Sequence, residues 1–361
     1  MTWLKRILAV LVGLALIAVI AFNLFKAQIA ERAFVRAIDR MAGVDRSAAL
    51  PDGLHVYLCG TGSPMPDATR AGPCLGVLAG DTALVFDIGS GGMRNLGAMG
   101  FPIGRMDGVY LTHLHSDHLD GLGELLTIAW VGGNRSEPLP VRGPTGTNDV
   151  VAGFNMAYRL DSTFRTAHHG PEIARPSGFG GVADEIVIPA GPGGQLVVHE
   201  DGDLKITAIR VSHAPIEPAF GYRIDYKDRS ISISGDTIYQ ERFAAASQGV
   251  DIMLHEALNK RMVSTIGAKL GERGLTNQET IFHDILDYHT DPEEAAQAAQ
   301  EAGAAQLVFY HIVPQLPVKM LESVFIGNSK SIFDGKITVG RDGMILSLPA
   351  GSDKIEKSQA L

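Results

Sequence analysis

The chain has little cysteine, no concentrated positive charge and no internal repetition, and each shortage removes a class of protein. Two cysteines in 361 residues, Cys59 and Cys74, are too few for a disulfide scaffold and lack the CxxC spacing of a zinc site. They read as two small buried residues, with a single disulfide between neighbouring segments as the alternative in an exported domain. Beyond residue 50 there is no Lys/Arg cluster, and 31 basic against 40 acidic residues leave a formal net charge of −9. Proteins that grip polyanions draw much of their affinity from a basic face laid on phosphates, so this balance argues against nucleic acid as a partner. No solenoid-type period and no low-complexity tract occur. The glycine loops Gly60-Thr61-Gly62-Ser63-Pro64 and Asp87-Ile88-Gly89-Ser90-Gly91 lack the spacing of a nucleotide-binding phosphate loop.

What is present is ordinary for a globular enzyme. Hydrophobic residues make up 45% and charged residues 20%, in a chain long enough to bury a large core. The 42 glycines suit a fold with many tight strand-to-loop junctions.

Residues 7–25, ILAVLVGLALIAVIAFNLF, carry no charge. At ~1.5 Å per residue such a run spans the ~30 Å hydrocarbon core of a bilayer. Lys5 and Arg6, in a short 1–6 segment, favour a cytoplasmic N-terminus. The expectation is a membrane anchor at 7–25, with a signal peptide cleaved after Ala21 as the competing reading. Either one exports the rest of the chain: membrane-anchored on the periplasmic side, or released as a soluble domain. Residues 26–53 read as an amphipathic linker helix ending at Pro51-Asp52-Gly53, 54–349 as the main domain and 350–361 as a polar tail.

From His55 the pattern becomes short apolar runs broken by Gly and Pro. HVYLCGT (55–61), ALVFDIGS (83–90), GVYLTH (108–113), LPVRGP (139–144), LKITAIRVSH (204–213), FGYRIDY (220–226), SISISGD (230–236), IMLHEA (252–257) and QLVFYH (306–311) each read as a buried strand. Several end in or beside a His, and one ends at Asp236. Strand ends are where α/β enzymes place chemistry, and a structural core does not distribute its polar residues this way. Helices lie between. One covers 121–131. Another opens at Asp291-Pro292-Glu293-Glu294, with Asp as cap and Pro at the first position, and closes at Gly303.

The strongest motif is Thr112-His113-Leu114-His115-Ser116-Asp117-His118. In extended backbone His113 and His115 point to one side and can bind one metal. Where the chain turns into the following helix, Asp117 and His118 reach a second. Imidazole and carboxylate donors suit zinc, with iron or manganese as alternatives.

HxHxDH is the signature of the metallo-β-lactamase superfamily, and over residues 54–349 the chain resembles its ribonuclease Z and arylsulfatase-like branch. The resemblance implies an α/β fold, a four-layer αββα sandwich, here behind an N-terminal hydrophobic anchor helix. It implies that His213, in SHAPIEPAFGYRID, completes the first metal site with His113 and His115. By the same resemblance Asp236, in SISGDT, bridges two zinc ions, and His311, in LVFYHIVP, completes the second site with Asp117 and His118. His255-Glu256-Ala257 in MLHEAL resembles the His-Glu-Ala-Thr motif of that branch, with Leu258 in place of Thr. There the His donates a proton beside the metals and the Glu orients it. The glycine loops become turns that floor the site, with Asp87 hydrogen-bonded to a ligand His. His289 stands where the branch often has a His, which offers a supporting role beside the metal ligands, but its place before the helix cap Asp291 favours structural capping. His168 and His169 lie in a Gly/Pro-rich insertion at roughly 161–195 that lines the substrate pocket or faces solvent. His55, His199 and His283 have no motif around them.

The implied chemistry is ester hydrolysis by a metal-bound hydroxide that Asp117 helps orient, with His255 and Glu256 protonating the leaving oxygen. A phosphodiester or sulfate ester of a small molecule is the expected substrate. A β-lactamase or lactonase, a ribonuclease Z-type tRNA 3′ endonuclease and a non-enzymatic metal-binding module are the alternatives. Against the tRNA reading stand the acidic balance, the export segment and the short link between Ile224 and Gly235, where that family often inserts an RNA-gripping arm. The oligomeric state stays open, a homodimer included.

Overall fold

The computed structural model describes residues 2–41, 45–189 and 194–361. It falls into two compact units, Met1–Ala48 and Ala49–Leu361. The first is dominated by one helix, α1 (Thr2–Met41), long and apolar enough to cross a membrane. Leu8, Leu16 and Phe22 are exposed along it. Residues 26–41, expected as a separate linker helix, continue the same helix, because neither Gly nor Pro interrupts the chain between Gly13 and Gly43. Residues 42–44 of the expected linker and 190–193 of the expected insertion lie outside the described residues.

The second unit carries the strands β1 (Gly53–Gly60), β2 (Cys74–Ala79), β3 (Thr82–Ile88), β4 (Gly108–Tyr110), β5 (Leu139–Gly143), β6 (Gly181–Glu185), β7 (Gln195–Asp201), β8 (Leu204–His213), β9 (Ile216–Tyr226), β10 (Arg229–Ile233), β11 (Ile252–Leu258), β12 (Gln306–Val313), β13 (Lys336–Val339), β14 (Met344–Pro349) and β15 (Glu356–Gln359). Its helices are α2 (Gly92–Met99), α3 (Leu122–Gly132), α4 (Thr147–His169), α5 (Glu241–Ala246), α6 (Lys260–Glu272), α7 (Thr276–Asp284), α8 (Pro292–Ala302), α9 (Leu321–Phe325) and α10 (Ser329–Ile332). The first sheet runs β15-β14-β1-β2-β3-β4-β5-β6 and the second β13-β12-β11-β10-β9-β8-β7.

Strand alternation explains the layers. In β1, Leu54, Val56 and Leu58 face inward and join Ile252, Leu254 and Val308 of the second sheet. Tyr57 and Cys59 face outward, into the cluster that holds Met93 and Leu96 of α2 and Leu122 and Leu125 of α3. On the far side Met253, Leu307 and Phe309 pack on Phe243 of α5 and Ala295 and Ala299 of α8. The result is the four-layer αββα sandwich. α8 begins with the expected capping box between Asp291 and Glu294 and ends at Gly303, whose φ of 61° needs no Cβ.

Three expectations change. The insertion at 161–195 begins as helix: α4 continues to His169, and no Gly or Pro lies between Phe154 and His169. The polar tail includes β15, which pairs antiparallel with β14 at the sheet edge. Cys59 and Cys74 are a disulfide, not two separate buried residues. The antiparallel β1–β2 register brings them together, with Gly60 opposite Cys74 and the two Cα atoms 5.1 Å apart.

Candidate active site

The site grows from strand ends. In the first sheet the chain leaves β4 at Tyr110 and passes through His113 and His115 into a short turn, Ser116–His118. In the second sheet His213 ends β8, and Asp236 follows β10. His311 sits within β12, where Glu256 pairs with Tyr310 but Ala257 pairs with Ile312. It is therefore the extra residue of a bulge, with a left-handed φ of 45° that swings its ring out of the ladder.

These side chains converge. His115 Nδ1 lies 3.1 Å from His113 Nε2 and 3.3 Å from His213 Nε2. Asp117 Oδ2 lies 3.3 Å from His311 Nε2 and 3.6 Å from His118 Nε2. Asp236 Oδ2 stands between the two sets, 3.3 Å from His311 Nε2, 3.4 Å from His118 Nε2 and 3.9 Å from both His113 Nε2 and His213 Nε2. Two donors each ~2.1 Å from a tetrahedral zinc ion are separated by roughly 3.4 Å, so these are the spacings of ligands around shared cations. The donor atoms form two groups that could each hold a metal ion: His113, His115, His213 and Asp236, then Asp117, His118 and His311. All but the half-buried His115 are buried. His118 Nε2 and Asp236 Oδ1 are buried without a hydrogen-bond partner. Orphaned polar atoms are costly in an apolar interior, and a bound cation would satisfy them.

Outer hydrogen bonds set which ring nitrogen faces in. His118 Nδ1 donates to Asp87 Oδ2 at 2.8 Å, and the Thr112 amide and hydroxyl donate to the same carboxylate at 2.8 Å each. His213 Nδ1 donates to the Tyr288 carbonyl at 2.9 Å. Both imidazoles thereby keep Nε2 free for a metal. Burial, with His118 adjacent, holds His113 well below its ordinary pKa, so it is a neutral donor. Burial opposes charge on His118 too, but Asp236 and Asp87 outweigh it and lift that imidazole well above its ordinary pKa. Asp236, despite burial, is held well below the usual carboxylate range by His311 and His118. The field at the centre favours positive charge, which divalent cations would supply.

His255, expected as the proton donor, is placed on the outer face of its strand. Neighbouring residues of a strand face opposite ways, and on β11 His255 shares the outer face with Met253, its ring 5.7 Å from Phe243 of the helix layer. Its Nδ1 bonds the Glu256 carbonyl at 2.7 Å, and among the described residues no hydrogen bond or ring contact joins it to the metal donors. Glu256 faces inward. Its side chain holds a different histidine: Oε1 accepts from His289 Nδ1 at 3.2 Å and from the amides of Thr290 and Thr237 at 3.0 and 3.2 Å. His289, read from the sequence as a capping residue, lies 5.1 Å ring to ring from His213 and 5.7 Å from His311. The sequence signal was its place where the resembled branch often has a His, just before the cap Asp291; no periodicity marks it.

A cavity of about 80 Å³ opens on His115, Asp117, Asp236, His289 and His311. Ser63, Pro64, Met65, Ile285, Tyr288 and Val313 complete its lining. His168 and His169 end α4 on the surface, and His55 is buried against the Pro51 carbonyl at 2.8 Å; none lines this cavity.

Known proteins share this architecture. The family described as "Beta-lactamase superfamily domain" matches residues 101–312, and that of "Anti-Pycsar protein Apyc1" matches residues 54–138. A ribonuclease Z of Mycobacterium avium is 34% identical over 291 residues, which is 80% of this chain and 96% of the relative. In structure, the metallo-β-lactamase fold protein YhfI from Bacillus subtilis superposes with a TM-score of 0.58 at 21% identity, over 82% of this chain and all of that one. The short form of human tRNase Z gives 0.57 at 22%, over 82% and 99%. The chain is a metal-dependent hydrolase that belongs to the metallo-β-lactamase superfamily, in the branch of the ribonuclease Z proteins.

Proposed function

We propose that this chain is a phosphodiesterase working with two zinc ions. The observation that carries the reading is a carboxylate-held imidazole, Glu256–His289, beside two groups of metal donors that share Asp236. His113, His115 and His213 would hold one ion, Asp117, His118 and His311 the other, and Asp236 both. Bound there, zinc supplies a water of lowered pKa and neutralises charge on the phosphoryl oxygens. Asp117 faces the cavity, kept ionised by His118 and His311 despite its burial, and accepts a hydrogen bond from the attacking water. His289 lines the same cavity with Nδ1 committed to Glu256, so Nε2 delivers the proton to the leaving oxygen. This moves the acid role from His255 to His289.

The name ribonuclease Z on the relatives supports the phosphodiester over the sulfate ester, and it makes RNA a second reading. The net charge and the two-residue turn between β9 and β10, Lys227-Asp228, weigh against an RNA-gripping arm. The disulfide and the apolar helix support an oxidising location outside the cytoplasm, with α1 as anchor or signal. Metal content and turnover of the zinc-loaded protein test the reading, with bis(p-nitrophenyl) phosphate, precursor tRNA, p-nitrophenyl sulfate, a lactone and a cephalosporin as substrates. About two zinc per chain and cleavage of a phosphodiester are expected. Turnover confined to the sulfate, lactone or cephalosporin would replace it.

A further inference from the structure

Away from the metal donors the cavity lining is mostly apolar. Besides His115, Asp117 and Asp236 it is lined by Met65, Ile285, Tyr288 and Val313, with Ser63 adding a hydroxyl, and among the described residues no Lys or Arg lines it. This wall is not a set of loose loop tips. Met65 and Ile285 pack on the small core of Leu258, Val263 and Val313, so its shape is fixed from behind. Tyr288 is held at both ends: its carbonyl accepts from His213 Nδ1, and its ring stands 4.8 Å from that of His289 and 4.9 Å from that of His213. The tyrosine thus lies next to the proton donor, on the side where a leaving group departs.

Space and charge then restrict the substrate. The cavity is small, about 80 Å³, and holds a phosphoryl group at the metal donors with one adjoining group against the wall. A second phosphate on the leaving side would meet a mostly apolar wall, with the Tyr288 and Ser63 hydroxyls but no cation to pair it, and burying an unpaired anion is unfavourable.

Resting on the phosphodiesterase reading, we propose that Met65, Ile285, Tyr288 and Val313 form a leaving-group subsite for a single uncharged apolar or aromatic group. The preferred substrates are small phosphodiesters of such alcohols, not polyanionic strands.

Direct binding tests the subsite apart from turnover. Two monoanionic phosphonates with the same head, the methyl and benzyl monoesters of methylphosphonic acid, are titrated calorimetrically into the zinc-loaded chain. The benzyl ester should bind about tenfold tighter, the gain expected from burying part of a ring. In Ile285→Ala/Tyr288→Ala that ratio should fall to about threefold or less, while the methyl ester binds as before. Ile285→Val and Tyr288→Phe, which keep the wall's bulk, should retain most of it; equal zinc content and circular dichroism confirm that each variant folds. Equal affinity of the two esters in the unmodified chain, or a ratio that survives the double variant, overturns the subsite. So does precursor tRNA cleaved with a higher kcat/KM than bis(p-nitrophenyl) phosphate. If bis(p-nitrophenyl) phosphate is cleaved and the ratio is absent, only the subsite fails. If no phosphodiester is cleaved at all, the reading beneath it fails as well.

Discussion

The two sheets contribute unequal halves of one site. The first gives four donors from six consecutive residues, His113 to His118, on a single loop tied back to Asp87. The second gives His213, Asp236, Glu256 and His311 from the ends of four different strands, with His289 from the connection between β11 and α8. The first half is local, and its geometry follows from one loop and one carboxylate. The second is assembled only when β8 to β12 are all in register, so its precision belongs to the whole sheet. A lesion in the first half should loosen one ligand, whereas a lesion in the second should reach both metal positions or the proton donor.

That contrast can be broken at its hinge. Asp236→Ala removes the one atom that approaches both sets, and should leave less than one zinc per chain and reduce kcat/KM by about 10³-fold or more. Metal analysis alongside kinetics checks this; two tightly held ions in the variant would contradict the shared position. Next, within the second half, His289→Ala should lower kcat by about 10²–10⁴-fold on a poor leaving alcohol, with metal content intact and a much smaller loss on a p-nitrophenyl ester. His255→Ala, in the same assay, should stay within roughly threefold of the unmodified chain. The reverse order would restore the acid to His255. In the first half, replacing both Cys59 and Cys74 by serine opens a link spanning 15 residues and should cost about 3 kcal/mol, read as a lower Tm with kcat nearly unchanged. The smallest effect should come from Asp87→Asn, which spoils the acceptor for His118 Nδ1. Zinc affinity should fall by about 10–100-fold in a competition titration, and excess zinc should restore activity.

The same inequality decides how much can be read from the residues. The first half is legible because its chemistry is contiguous, and period two already places His113 and His115 on one side. His213, Asp236 and His311 each look like ordinary strand-end polar groups and become candidates only through the family pattern around them. His255 and Glu256 mislead because every residue of β11 is buried, so hydrophobic alternation says nothing about which of two neighbours faces the site. Inward-facing parity has to come from the partners, Ile252 and Leu254 in the inter-sheet core. Strands β2, β6, β7, β13 and β14 do not stand out from the links between stronger runs, and the glycine-free stretch before His169 is the available sign that α4 extends that far.

Two residues of the site, Asp87 at φ 53° and His311 at φ 45°, occupy backbone conformations in which glycine is the comfortable residue. Any other L residue forgoes roughly 1–2 kcal/mol there. At position 311, then, backbone comfort and selection for turnover pull in opposite directions. Glycine there would relieve the backbone but leave a hole where a buried ring packs on those of His118 and His289 and would remove a ligand, so the strained histidine is kept for its chemistry.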